Sequence, residues 1–294
     1  MTDHSHRAAF DPAYSGQAFI GAADSYDSAR AIVYGMPMDW TTSFRPGTRL
    51  GPRRIREVSV GLEEYSPYLD RHLEDASFFD AGDIPLPFGN PGRSLDMIRD
   101  YVGRWLDDGK LPIGLGGEHL VTLGAVRAVV ERIPDVRILH FDAHADLREQ
   151  YEGEPLSHSA VIRKIADLIP PKRIYQFGVR SGTREEFVYA REHTNFHPFH
   201  VLLPLQSVLA EIGQKPCYVT VDIDVLDPAF APGTGTAEAG GVASNELLAA
   251  VHAMKDLQVV GFDLVEVSPV LDPTEQTQIV AAKLIREALL SFAL

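Results

Sequence analysis

The amino-acid sequence predicts a three-layer α/β/α domain built on a mostly parallel central sheet. Short apolar or β-branched runs alternate with amphipathic helical stretches, the pattern expected of a parallel α/β fold. Several runs are apolar at successive positions, as strands covered on both faces must be. No internal repeat or low-complexity linker interrupts the 294 residues. One domain over 1–294 is therefore expected, with 1–25 as an N-terminal extension, and α/β proteins reach this size as one unit.

Taken in order, the first strand is expected at 31–35, after a polar chain start in which His4 and His6 are read as disordered. A glycine- and proline-rich stretch at 79–93 reads as a long functional loop. The helix at 95–106 follows, because Leu95, Ile98, Val102, Trp105 and Leu106 recur at helical spacing and form one apolar stripe. Ser94 precedes it as an N-cap. Strand 112–115, helix 121–132, strand 137–141, helix 160–168 and strand 173–178 continue the alternation. Strand 217–223, a second glycine-rich loop at 228–241, helix 245–254 capped by Ser244, strand 259–267 and helix 274–290 complete it.

Bulk composition narrows the class of function. The formal charge of −14 argues against nucleic acid or an anionic membrane surface as partner and favours a small cationic ligand. No window of about 18 apolar residues marks a membrane span, and the first ten residues lack an apolar core. The single cysteine, Cys217, falls inside an expected strand. Without an intrachain disulfide, a reducing cytoplasm is the expected setting.

The chemistry concentrates in three segments. In HFDAHAD at 140–146, an extended chain would point Asp142, His144 and Asp146 to one side. Like carboxylates repel, so they share a face only where positive charge sits between them. In YVTVDID at 218–224, Asp222 and Asp224 end a second apolar strand in the same way. In GLGGEH at 114–119, glycines let the chain turn tightly and carry His119 over the sheet edge. In a parallel sheet all three would meet at the C-terminal edge, where α/β folds bind ligands. Neither a dinucleotide fingerprint nor a phosphate loop is present.

Two imidazoles and four aspartates form an oxygen-rich, thiolate-free set that suits manganese better than structural zinc. Six side chains suffice for two ions bridged by shared carboxylates. Two divalent ions carry +4 against −4 from the aspartates, so a bridging hydroxide leaves about −1, a charge that still accepts a cation.

These residues resemble a known family. GGEH at 116–119, DAHAD at 142–146, DIDVLDPAFAPGTGT at 222–236 and EVSP at 266–269 are collinear with the ureohydrolases, the arginase and agmatinase family. YGMPMDWTTSFRPGTRLGP at 34–52, IREVSVGLEEYSPYLDR at 55–71 and EPLSHSAVIRK at 154–164 are most similar to its bacterial, Bacillus-type agmatinase branch. The resemblance implies an arginase-like fold, a cytoplasmic homotrimer or homohexamer, and two Mn2+ per subunit. It implies that His119, Asp142, Asp146 and Asp222 hold one ion and His144, Asp142, Asp222 and Asp224 the other. A bridging hydroxide then attacks a guanidinium carbon and releases urea and an amine, agmatine yielding putrescine for polyamine synthesis. By the same resemblance His158 is the proton shuttle, Glu266 pairs with the substrate guanidinium, and Asp146 joins both in the catalytic set. Glu118 is read as supporting the ligands and Asp263 as a structural hydrogen-bonding group.

Substrate choice is read from two positions. Arginase-type members carry Asp after the Arg of a G-x-R-D sequence, where this chain has Gly178-Val179-Arg180-Ser181. They also carry Asn two residues past the DAHTD motif, where this chain has Arg148. Ser181 and Arg148 are thus the remaining substrate-binding candidates, and both disfavour arginine relative to agmatine. The alternatives are a sister amidinohydrolase acting on guanidinobutyrate, arginine or a formimino amino acid, a non-catalytic metal-binding homologue, and a single-zinc deacetylase-like relative.

Overall fold

The computed structural model describes residues 17–294, so His4 and His6 and much of the expected extension at 1–25 lie outside the described residues. Six of the strands are found where the apolar runs place them. These are β1 (Ala31–Met36), β5 (Leu111–Gly116), β6 (Arg137–Phe141), β7 (Ile174–Phe177), β9 (Cys217–Asp222) and β10 (Val259–Val265). Two further strands, β4 (Phe78–Asp83) and β8 (Asn195–His197), close the edges of one sheet, and a ribbon of β2 (Tyr65–Ser66) and β3 (Arg71–His72) stands apart. The main sheet has the order β4-β1-β5-β10-β9-β6-β7-β8, and each neighbouring pair is parallel.

Strand residues alternate between two cores, as period-two geometry demands. Cys217, Val219 and Val221 face one layer while Tyr218 faces the other. The first layer is filled from α1 (Gly51–Ser59), α6 (Leu202–Ile212), α7 (Ser244–Ala253) and α8 (Gln276–Phe292). The second is filled from α2 (Pro91–Asp107), α3 (Val121–Arg132), α4 (Val161–Ala166) and α5 (Arg184–His193). Within the first layer, a buried carboxylate ties α8 to α7 and to the β2 ribbon. Glu287 of α8 accepts hydrogen bonds from Ser66 Oγ at 2.7 Å and His252 Nε2 at 2.8 Å, and it pairs with Arg286.

Several expectations need correction. The piece at 79–93 is not all loop, because Phe78–Asp83 is a strand. Its polar residues are accounted for by Arg56, a buried guanidinium that takes Asp80 through Nε at 2.8 Å and Nη2 at 2.9 Å, and Asp83 through Nη1 at 2.6 Å. Ser94 is not a cap. The helix starts at Pro91, with Asn90 accepting the Arg93 amide at 3.0 Å, an arrangement that uses proline where its missing N–H costs nothing. Ser244 is the first residue of α7, not its cap, and the preceding Ala243 makes no side-chain capping bond. Strand β6 ends at Phe141, as expected, and β9 at Asp222, one residue short of the expected 217–223.

Candidate active site

Four adjacent central strands, β5, β10, β9 and β6, each deliver one segment to the same C-terminal edge. After β5 the chain passes Gly116 and Gly117. A Cβ on Gly117 would stand 2.0 Å from the Met38 carbonyl oxygen, so only glycine lets the chain pass here and set His119 above the sheet. His119 is buried, and its Nε2 pairs with Thr220 Oγ1 at 3.0 Å. Its Nδ1 has no hydrogen-bond partner among the described residues. That atom lies 3.0 Å from Asp142 Oδ2 and 3.3 Å from both Asp146 Oδ2 and Asp222 Oδ2.

The segment after β6 does not stay extended through Asp146, as the i, i+2, i+4 spacing implies. Asp146 takes a left-handed φ of 51°, and the turn brings its carboxylate to His119 while His144 goes the other way. His144 Nδ1 lies 3.0 Å from Asp224 Oδ2 and 3.5 Å from Asp142 Oδ1. Asp224 likewise sits in a short 3-10 turn beyond β9 rather than in the strand, and its amide is accepted by Asp222 Oδ1 at 2.9 Å. Two groups of ligand-type atoms result, each within 4.8 Å of one another. One is His119, His140, Asp142 and Asp146, the other Asp142, His144 and Asp224. Asp142 belongs to both.

Electrostatics explain what such a cluster is for. Burial, followed by the neighbouring Asp224 and Asp142, pushes the Asp222 carboxyl well above its ordinary range. Burial and Asp142 push Asp224 up as well, against the pull of His144. Burial alone would push Asp142 up, but the neighbouring His119 and His140 imidazoles hold it well below. Burial would likewise lower His144, yet Asp224 and Asp142 raise it to about 12. Buried like charges this close are tolerated only with compensating positive charge. His119 Nδ1 and Asp224 Oδ2, both buried without hydrogen-bond partners among the described residues, fit metal ligation. The donor set of carboxylates and imidazoles fits hard divalent ions.

Glu266 follows β10 with φ of 64°, a left-handed conformation that costs on the order of 1–3 kcal/mol outside glycine and marks functional sites. It is buried, and its Oε1 accepts the His119 amide at 2.8 Å. His158 Nδ1 lies 3.5 Å from the same oxygen, while Nε2 meets Ser43 Oγ at 2.9 Å and the Ser43 amide at 3.2 Å. Burial would lower the imidazole pKa; Glu266 reverses this and pushes it up to about 9. Glu118 lies outside both groups of ligand-type atoms. It accepts the Thr41 amide at 2.8 Å and Thr41 Oγ1 at 2.9 Å, and Thr41 Oγ1 accepts the His158 amide at 3.0 Å. Burial pushes its carboxyl up to about 7. Asp263 is bonded by Tyr218 Oη at 2.6 Å and Thr122 Oγ1 at 2.9 Å, consistent with a structural group.

Ser181 acts here through its backbone: its amide donates to Ala143 O at 2.9 Å and its carbonyl accepts the Ala145 amide at 3.1 Å. This pins the ligand loop. Arg148 Nε lies 3.5 Å from Glu186 Oε2, and its guanidinium lies over the Tyr151 ring at 5.3 Å. The glycine-rich loop at 232–241 borders the site, since a Cβ on Gly235 would stand 4.0 Å from Glu266 Oε2. Arg180 staples this loop to the Asp224 turn, donating through Nη2 to Asp224 O at 2.7 Å and Glu238 O at 2.8 Å. Sequence reasoning missed His140, Gln176, Thr41 and Ser43. His140 lies two residues before Asp142 on a strand, so period-two spacing could have found it; nothing in the spacing marks Ser43.

Residues 29–291 match the family model described as the arginase family. The agmatinase of Bacillus subtilis (strain 168) is 61% identical over 286 residues, covering 96% of this chain and 99% of that protein. The guanidinobutyrase of Pseudomonas aeruginosa is 34% identical, covering 90% and 86%. Among solved structures, a putative agmatinase from Clostridium difficile superposes with a TM-score of 0.89 at 40% identity, covering 92% of this chain and 99% of that one.

Proposed function

The chain belongs to the arginase family, and from that premise we propose that it hydrolyses agmatine to putrescine and urea with two Mn2+ ions. One observation carries the reading. Two buried ligand groups meet at a shared carboxylate, Asp142, in a chain 61% identical to a relative named agmatinase. His119, Asp142, Asp146 and Asp222 would hold one ion, and His144, Asp142, Asp222 and Asp224 the other. When bound, such ions supply Lewis acidity that lowers the pKa of water from about 15.7 toward about 7 and provide the nucleophile for the guanidinium carbon.

The protein's own groups supply the rest. Glu266 offers a carboxylate to the planar guanidinium, a charge-assisted pairing that fixes its orientation. His158, whose proton Glu266 favours, hands a proton to the departing amine nitrogen, because an alkylamine leaves poorly as an anion. Asp146 would join His119 among the side chains that hold the first ion. Substrate choice follows from charge. Ser181 offers no acid for an α-ammonium, and Arg148 lies near Glu186, so its positive charge is partly answered before any substrate arrives. A cation without a carboxylate, agmatine, suits this better than arginine.

A second reading, hydrolysis of guanidinobutyrate, is favoured by Arg148 itself, which is half-buried and able to face a carboxylate. Urea release from agmatine, guanidinobutyrate, arginine and formiminoglutamate, with manganese-loaded and metal-stripped protein, separates the two. Agmatine should be turned over fastest and only with manganese. Faster release from guanidinobutyrate would overturn the substrate assignment, and bound metal without urea from any guanidine would overturn the enzyme reading. A homotrimeric or homohexameric cytoplasmic enzyme of polyamine synthesis is part of the same proposal.

A further inference from the structure

Behind the ligand cluster lies a chain of buried polar side chains that no step of the proposed reaction uses. His140 Nε2 lies 2.8 Å from Asp142 Oδ2, and the other ring nitrogen, Nδ1, lies 3.2 Å from Gln176 Nε2. All three side chains are fully buried. The amide of Gln176 can be oriented without ambiguity. Its Nε2 also lies 2.9 Å from the Ala145 carbonyl oxygen, which only accepts, so that position must be the NH2 group. Its Oε1 lies 3.1 Å from Thr194 Oγ1, a possible donor. The second hydrogen of the amide then points at His140 Nδ1, which must present a lone pair. A neutral ring carries its proton on Nε2 in that case, and it donates to Asp142.

The consequence falls on the one carboxylate common to both ligand groups. Asp142 Oδ1 accepts the His144 amide at 2.6 Å, and Oδ2 takes the His140 proton. Each oxygen is pinned by a separate donor, so the carboxylate plane cannot rotate. Oδ2 then faces His119 at 3.0 Å, and Oδ1 faces His144 at 3.5 Å. We propose that Gln176, acting through His140, is a positioning residue that aims Asp142 to serve both halves of the cluster. Partners of this kind, one step removed from a metal, commonly alter affinity about 10–100-fold when removed. Gln176 has no role in the reaction beyond this. The inference rests on the two-manganese reading.

Neutron diffraction from crystals of the full-length manganese-loaded protein should find deuterium on His140 Nε2 and none on Nδ1; the reverse placement would overturn the proposal without any variant. Gln176→Met keeps the volume and removes both donors. Manganese titration followed by electron paramagnetic resonance should show affinity lowered about 10–100-fold, with weakened exchange coupling between the two ions. If wild-type protein binds no manganese pair, the underlying reading fails. If wild type binds the pair and Gln176→Met binds it with unchanged affinity and coupling, losing only thermal stability, the positioning role fails alone.

Discussion

His158 Nδ1 lies 3.5 Å from Glu266 Oε1, the same oxygen that accepts the His119 amide at 2.8 Å. One carboxylate oxygen thus connects the His158 ring to the backbone of His119, without His158 itself belonging to either group of ligand-type atoms. Replacing His158 with Asn should lower kcat by about 10²–10⁴-fold, the usual contribution of a positioned acid or base. Bound manganese, measured by atomic absorption, should stay at the wild-type level. Loss of metal in this variant would show that His158 is a ligand instead.

Asp142→Asn preserves shape and removes the charge shared by the two groups. Losing it should disturb both halves at once, dropping manganese content below one ion per chain and urea release by at least about 10²-fold. A variant that retained two ions and normal turnover would place the chemistry elsewhere.

Arg180 holds the site together without touching it. Its guanidinium donates to the carbonyls of Asp224 and Glu238, and through Nη1 and Nε to those of Val225 and Ala239 at 3.2 Å each. A lysine offers a compact point charge that cannot fan out over four carbonyls. Arg180→Lys should cost about 2–3 kcal/mol, read as a fall of roughly 3–5 °C in the melting temperature by scanning calorimetry. An unchanged melting temperature would refute the stapling role.

Far from the site, Glu287 gives a pH signature. Burial pushes its carboxyl up, but hydrogen bonds from His252, Arg286 and Ser66 prevail and lower it from 4.5 to about 2. A depressed folded-state pKa contributes stability above pH 4.5 that is lost as the pH falls toward 2. Chemical unfolding of wild type and Glu287→Gln at several pH values should show the largest gap near pH 6. The gap should shrink between pH 4.5 and 2, and a constant one would contradict the assignment.

The convergence at the sheet edge was legible, because carboxylates and imidazoles stand out at the ends of apolar runs. His119, Asp142, His144, Asp146, Asp222 and Asp224 could be named from local spacing, and the structure brings them together. What spacing misjudged was local shape. Extended geometry stops at Phe141, and Asp146 reaches His119 only through a left-handed turn. The edge strand Phe78–Asp83 was illegible for a related reason, since its aspartates answer Arg56, some 24 residues earlier in the chain. Gln176 and Ser43 were hidden because their partners lie 36 and 115 residues away, a distance no periodicity spans. The cap at Asn90 was legible in principle, as a polar residue before proline, whereas Ser94 lies inside the first turn and bonds back to the Asn90 carbonyl.

The strand order has a consequence for how the chain matures. Strands β5 and β6 are separated in the sheet by β10 and β9, both of which are made later. A nascent chain that has emerged only as far as α6 already carries His119, Asp142, His144 and Asp146. It must nevertheless keep a gap two strands wide between their supports, with no backbone ladder to hold it open. The cluster can close only after the last third of the polypeptide threads into that slot, so its side chains come together late in the assembly of the sheet.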